Sequence, residues 1–255
     1  MNREATDLAG VRHVHYETLG STNAEALAHA RAGERGPLWI TAATQTAGRG
    51  RRGNSWTSEP GNLFATLLLV EPSSMAAAPQ ISFVAALATH DAVTTCAPTL
   101  GPVTRLKWPN DLLIAGKKAA GLLLEGDSGP PAAVAVGIGI NCASHPELTE
   151  YPATDLRAEG TPVDVMALLD VLAVAMTRRL TQWNAGAGFA SIRGDWLARA
   201  SGIGDQIRVR LPEREVHGRF QSVDAAGRLL LAHIDGSVQT ITAGEVFPFN
   251  AGASR

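Results

Sequence analysis

Apolar and polar residues alternate over residues 11–17 (VRHVHYE), the two-residue period of a half-buried strand. The chain then turns at Leu19-Gly20-Ser21, and Thr22-Asn23-Ala24-Glu25 fits a capping box opening a helix that stops at Gly33. Two apolar runs, residues 38–43 (LWITAA) and 62–70 (NLFATLLLV), predict buried strands, and the alanine-rich stretch 81–96 predicts a helix. Strands follow over 103–107, 111–115, 118–126 and 132–141, the middle two joined across a tight Ala115-Gly116-Lys117 turn. Thr161-Pro162 predicts the start of a helix reaching Trp183, and 189–200 predicts another. Residues 201–205 read as a domain joint. Beyond them only short strands remain, over 206–211, 216–223, 228–233 and 238–242, with a turn at Asp235-Gly236. The expected architecture is an α+β body over residues 1–200 and a small all-β barrel or sandwich over 201–255.

Composition narrows the classes. The 255 residues are 45% apolar and 18% charged, ordinary for a globular chain, which excludes disorder and fibrous folds. No apolar run approaches the ~18 residues that span a bilayer, and the start MNREATDLAG shows neither a basic leader nor an apolar signal core. A cytoplasmic protein without a membrane partner is expected. Cys96 and Cys142 have no CxxC spacing, so neither a disulfide framework nor a zinc site is indicated, and both are expected to be buried. The net charge of -2 argues against general nucleic-acid binding, but the cations are unevenly placed. Of 22 basic residues only Lys107, Lys117 and Lys118 are lysines, all within one short stretch, which suggests a need there for compact point charges.

The other cationic cluster lies in GRGRRGNSW, residues 48–56, where Gly48, Gly50 and Gly53 spell GxGxxG. A dinucleotide fingerprint needs those glycines to open a helix, whereas here NSWTSEPGN follows, with Pro60 and Gly61 and no helical period. There is no GxxxxGK[ST] either. What remains is a flexible loop whose arginines suit phosphate or carboxylate oxygens. RGRRG also occurs in RNA-binding tails, but this copy is unrepeated and lies between two core strands. KWPND (107–111) places a lysine at a strand end and a paired amide and carboxylate beyond a rigid corner. The small residues of KAAGLLLEG (118–126) and the alternate glycines of GIGIN (137–141) permit close approach of a ligand. No nucleophile stands with a base, and His13 and His15, sharing one strand face, lack a third metal ligand. Cations and glycines without a nucleophile point to chemistry by positioning and charge neutralisation, as in phosphoryl or nucleotidyl transfer.

In this order and at these separations, STN (21–23), QTAGRGRRGNSW (45–56), KWPNDLL (107–113), GKKAAGLLLE (116–125) and GIGIN (137–141) resemble the biotin protein ligases. The resemblance covers essentially the whole chain. It implies a catalytic domain with a mixed central sheet and helices over 1–200, and an SH3-like domain over 201–255. Some members carry an N-terminal winged helix-turn-helix that represses biotin synthesis genes; here only about ten residues precede the first expected strand, so the likeness is to the short, monofunctional type, with no DNA partner. The implied reaction joins the biotin carboxylate to AMP from ATP, accompanied by Mg2+, and then passes biotin to a lysine. That lysine belongs to a biotin carboxyl carrier domain of acetyl-CoA carboxylase or a related carboxylase. A homodimer through a sheet edge is compatible with this reading.

Carried over by similarity, Ser21, Thr22, Asn23 and Gln45 line the ureido end of biotin, with Gly48, Arg49, Gly50, Arg51, Lys118 and Gly121 completing its site. Arg51, Arg52, Trp56, Asn110, Lys118 and Asn141 serve ATP and the adenylate, Trp56 by stacking on the base. Lys118, Arg51 and Asp111 are the implied catalytic residues, with Asp111 expected to orient and deprotonate the acceptor lysine, or alternatively to bind metal; the metal ligands and the role of Lys107 stay open. A lipoate or octanoate ligase or transferase is the related alternative, against which stand the arginine loop, the β-rich tail and the lack of a counterpart to the transferase cysteine. A regulator or pseudoenzyme that holds biotinyl-AMP without transferring it is the other, and the lysine cluster argues against it.

Overall fold

The computed structural model describes residues 3–74, 76–147 and 149–249, the first four by backbone alone. β1 (Arg3–Leu8) pairs antiparallel with β2 (Val11–Leu19), and helix α1 (Thr22–Arg31) returns the chain to β3 (Leu38–Gln45), parallel to β2. β4 (Leu63–Val70) runs antiparallel to β3, and α2 (Ile81–Cys96) follows. Then β5 (Thr104–Lys107), β6 (Asp111–Ile114), β7 (Lys117–Asp127) and β8 (Ala133–Ile140) form an antiparallel meander that closes back on β4. The order across the sheet is β1-β2-β3-β4-β8-β7-β6-β5.

Alternation along the strands gives the sheet two apolar faces. On one, Trp39, Leu63, Ala65, Leu67, Val136 and Ile138 pack with α2, α3 (Val165–Trp183) and α4 (Phe189–Leu197) in the main core. On the other, Val14, Leu38, Ile40, Leu68, Ala133 and Ala135 pack under α1 alone. A ten-residue helix is only about 15 Å long. Same-face positions beyond its N-terminus, namely Phe64, Gly121, Leu123, Gly137 and Gly139, therefore line an open cleft.

The remaining strands, β9 (Gln206–Arg210), β10 (Glu215–Val223), β11 (Leu229–Ala232), β12 (Val238–Ile241) and β13 (Glu245–Pro248), form a separate antiparallel sheet ordered β12-β11-β10-β9-β13. Its inward residues Val209, Phe220, Leu229 and Leu231 join the main core, and Trp108 Nε1 donates to the Gly227 carbonyl at 3.1 Å. The small domain is thus welded to the body. Among the described residues no helix is long and apolar enough to cross a membrane.

The α+β body and the all-β tail match expectation, and the local differences have physical causes. Residues 3–8 form an edge strand before the first expected one; their polar sequence hides it. The capping box does not form: Ser21 is the N-cap without a side-chain cap bond, Thr22 turns to Gln45, and Glu25 Oε1 accepts from the Tyr16 hydroxyl at 2.7 Å. α3 starts at Val165 rather than Thr161, because Asp164 Oδ1 accepts the Ala167 N–H at 2.8 Å. β13 escaped notice because it is short and ends in proline, which fits an edge strand. His13 and His15 are structural, both bonded to Thr41 Oγ1 at 2.7 and 2.9 Å, and burial with the neighbouring His15 pushes His13 down to about 4.

The helical layer is tied by Arg179, whose Nε lies 2.7 Å from Asp91 and whose Nη1 lies 2.6 Å from Asp195, joining α2, α3 and α4. Burial raises the Asp91 carboxyl, but His90, Arg179 and Arg178 outweigh it and hold it well below the usual range. A depressed carboxyl stabilises the fold above its unfolded-state pKa of about 3.9, and that stabilisation is lost as pH falls towards the folded value. Asp91→Asn is expected to cost about 2–3 kcal/mol at neutral pH. In urea denaturation the gap to the native chain should then narrow below about pH 4.

Candidate functional site

The cleft, of about 540 Å³, lies on the α1 face and is bordered by both domains. Its floor is two rows of the sheet: Phe64, Gly139 and Gly121 are cross-strand neighbours in one, Thr66, Gly137 and Leu123 in the other. Under α1 the same face of β8 carries Ala133 and Ala135, and where the helix ends these give way to glycine. A Cβ on Gly121 would stand 2.7 Å from Trp56 Cζ3, one on Gly139 2.7 Å from Trp56 Cε2, and one on Gly137 would collide with Asn23 Oδ1. The glycines therefore let a side chain or ligand lie directly on backbone.

At the deep end the hydrogen-bond network fixes the amide orientations. Gln45 Oε1 accepts both the Thr22 N–H (2.9 Å) and hydroxyl (3.1 Å), while Gln45 Nε2 donates to Ser58 Oγ at 3.2 Å. Asn23 Nδ2 donates to the Leu123 carbonyl at 3.1 Å and to Glu125 Oε2 at 2.9 Å, and Thr66 Oγ1 lies 2.7 Å from Asn23 Oδ1. With the amide oxygens engaged, the second Gln45 N–H and the buried Ser21 hydroxyl remain for a ligand, beside the positive end of α1. This end favours an acceptor such as a carbonyl oxygen.

The other end is cationic. Lys118 is held by its backbone, which bonds Pro152 O at 2.7 Å and Thr154 N at 2.9 Å. Its ammonium lies 2.7 Å from Asp111 Oδ1, and the Lys107 ammonium bonds Oδ2 at 3.0 Å. Asp111 is 7% exposed; burial raises its carboxyl, but the two lysines prevail and leave it below the usual range. Both oxygens of Asp111 are thus engaged by ammonium groups before any ligand arrives.

The glycine loop folds as a small hairpin, with Trp56 N–H to Gly48 O at 3.0 Å and Gly50 N–H to Asn54 O at 2.7 Å. A short 3-10 turn, with Arg52 left-handed, replaces the helix that a dinucleotide fingerprint needs. The arginines do not gather on one point. Arg49 bonds Glu125 at 3.1 Å beside the deep end, Arg51 bonds Asn110 Oδ1 at 3.4 Å and Gly244 O at 3.3 Å, and Arg52 lies 3.9 Å from Glu245. Burial lowers the Arg51 guanidinium pKa, against the pull of Asp111. The bonds of Arg51 run to neutral oxygens, so this desolvated cation is set to accept an anion.

The Trp56 indole lies on Gly121 and Gly139, and its buried Nε1 has no partner among the described residues. Asn141 is buried with Nδ2 bonded to Thr154 O at 3.0 Å, and Asn110 Nδ2 bonds Leu122 O at 2.6 Å. Every expected site residue except Gly48 and Arg52 lines the cleft; Gly48 packs against Ser58 and Trp56 at its edge, and Arg52 lies outside the lining, beside Glu245. Thr66, Glu125, Tyr151, Glu245 and Phe247 were not foreseen. Thr66 is a lone polar residue in an apolar strand, a readable signal, while Tyr151 sits in a loop and Glu245 and Phe247 belong to the other domain. Among the described residues no three acidic, histidine or cysteine side chains form a metal-holding group.

Known proteins resemble this chain over most of its length. The family model "Biotin/lipoate A/B protein ligase family" matches residues 19–141, and "Biotin protein ligase C terminal domain" matches 202–247. A biotin–acetyl-CoA-carboxylase ligase of Paracoccus denitrificans is 45% identical over 89% of this chain and 96% of its own length. The biotin protein ligase of Aquifex aeolicus, solved with biotin and ATP, has the same fold at a TM-score of 0.78 and 24% identity, covering 92% of this chain and 97% of that one. That of Leishmania major, solved with biotinyl-5-AMP, superposes at a TM-score of 0.66 and 25% identity, over 91% and 98% of the two chains. On these grounds the chain belongs to the biotin protein ligase family.

Proposed function

We propose that this protein activates biotin with ATP as biotinyl-5′-AMP, releasing pyrophosphate, and then transfers biotin to a lysine of a biotin carboxyl carrier domain, as in acetyl-CoA carboxylase. The observation that carries the reading is one slot floored by glycine backbone, with unpaired donors at one end and two lysines and an arginine at the other. Biotin has the matching form: a ureido carbonyl at one end, an apolar body and a carboxylate at the other. An octanoyl or lipoyl chain would leave the Ser21 hydroxyl and the Gln45 amide without partners, which disfavours the lipoate reading.

A carboxylate is a poor electrophile, so it must first become a mixed anhydride with AMP. Carboxylate and polyphosphate repel each other, and Lys118 with Arg51 is placed to neutralise both. Asn110, on the same edge, would meet the phosphates, and Arg52, outside the lining beside Glu245, would reach them from the loop. Trp56 and Asn141 flank the adenine side, where the indole face and the Asn141 carboxamide oxygen can meet a base. ATP would bring Mg2+ with its phosphates, and Asn110, the lysine-paired Asp111 and Glu245 are among the oxygen-bearing side chains of the cleft. In the second step the acceptor lysine attacks the acyl carbon and AMP leaves. Asp111 acts through its hold on the two lysines. The loop hairpin closes over the adenylate and excludes water from the labile anhydride. The eight-stranded sheet ends at β1 and β5, the edges through which a homodimer would form.

Intact-mass analysis of a biotin carboxyl carrier domain incubated with this protein, biotin and Mg-ATP tests the reading; a biotin-sized gain is expected, and a gain only with lipoate or octanoate would refute it. Lys118→Ala should lower the adenylation rate about 10²–10³-fold. Gly137→Ala should raise the KM for biotin at least about tenfold with a smaller change in kcat, because the new Cβ displaces Asn23. Trypsin cleavage after Arg51 or Arg52 should slow when biotin and ATP are both present, as ligand orders the loop.

A further inference from the structure

Asp111 carries one charge and faces two ammonium groups, Lys118 at Oδ1 and Lys107 at Oδ2. The two lysines are not equivalent. Lys118 is 29% exposed by side chain and lies along the cleft floor, with Cε 3.2 Å from where a Gly121 Cβ would be. Lys107 is 12% exposed by side chain, and its ammonium sits 4.0 Å over the Tyr151 ring. Tyr151 is in turn packed against Phe247 of β13, with ring centroids 6.3 Å apart. Phe247 is flanked by the Arg208 and Arg210 guanidinium groups, and Arg210 Nη1 bonds Glu150 at 2.8 Å. Lys107 is thus held by Asp111 and by the Tyr151 ring, which Phe247 of the small domain backs, and of the two lysines bordering the cleft Lys118 is the more exposed.

For Lys118 to reach a bound anion it must loosen its hold on Asp111, and a buried carboxylate left without a cation is strongly destabilising. We propose that Lys107 is a positioning residue that remains on Asp111 when Lys118 turns to the adenylate, so that Lys118 exchanges one anion for another without stranding a buried charge. Arg51, the other cation near Asp111, does not fill this role, because its hydrogen bonds run to Asn110 and Gly244 and it faces the same incoming anion. The reading makes the small domain part of the chemistry: Phe247 buttresses Tyr151, Tyr151 orients Lys107, and Lys107 releases Lys118. It rests on the biotin-ligase assignment above, with Lys118 as the residue that meets the adenylate.

The test is a double-mutant cycle on full-length protein, read as affinity for a non-hydrolysable biotinyl-adenylate, which needs no turnover. Lys107→Met keeps the shape and removes the charge. In the native background it should weaken adenylate binding at least about tenfold, whereas in an Asp111→Asn background, where no charge is left to strand, the same change should cost less than about threefold. Lys107→Arg should stay within about threefold of native, a rescue that loss of packing alone would not give. Equal losses in the two backgrounds would overturn the proposal, since Lys107 would then act on the ligand itself, and so would no loss in either. If Lys107→Met does not fold, Tyr151→Leu, which removes the aromatic face under the ammonium, is read in the same two backgrounds with the same inequality expected. Native protein that fails to bind the adenylate at all would instead refute the biotin-ligase assignment.

Discussion

The site depends on a stretch of sheet with no side chains on it. Gly121, Gly137 and Gly139 face the same way as Ala133 and Ala135, but α1 covers only the alanines. One step further, the backbone is bare, and Asn23 and Trp56 occupy the space that Cβ atoms would take. A methyl at any of the three positions would lift what lies there by more than the packing tolerates. With Trp56 swung off Gly121 and Gly139, a flat, mostly apolar ligand would lie on the strands between a donor-lined end and a cationic one. Glycine here serves close approach rather than turn geometry, and none of the three has a positive φ.

Around that floor most of the cations face a carboxylate. Asp111 holds Lys107 and Lys118, Glu125 holds Arg49, and Glu245 lies beside Arg52. The exception is Arg51, desolvated and bonded only to neutral oxygens among the described residues. Such a site attracts an anion without the mutual repulsion that a bare cluster of cations would suffer, and binding proceeds by exchange of partners. The small domain takes part in this balance. Gly244 and Glu245 meet the loop arginines, and Phe247 supports the ring on which Lys107 rests. A β-domain that reads in sequence as an appendage is a wall of the cleft.

Much of this is legible in the chain, and the limits are instructive. The strands with apolar periodicity and the helix 81–96 can be read directly, because burial on both faces of the sheet demands continuous apolar runs. The glycine loop, KWPND, KAAG and GIGIN announce themselves through residue types that regular structure rarely needs. What stays hidden depends on tertiary context. Thr22 looks like part of a capping box, but its hydroxyl finds Gln45 across the sheet, a partner 23 residues away. Nothing around Asp111 in sequence shows that two lysines sit on its two oxygens. Glu125, Tyr151 and Phe247 carry no local signal, since each matters through a contact with a distant element.

The central claim is that the cleft activates biotin in preference to other acids, before any acceptor is present. The most direct measurement is exchange of labelled pyrophosphate into ATP by the protein alone, with biotin, lipoate or octanoate offered separately. The account predicts exchange that requires biotin and is absent with octanoate, whose chain has nothing to offer the Ser21 and Gln45 end. Exchange supported as well by octanoate or lipoate, or no exchange with biotin at saturating ATP, would contradict it.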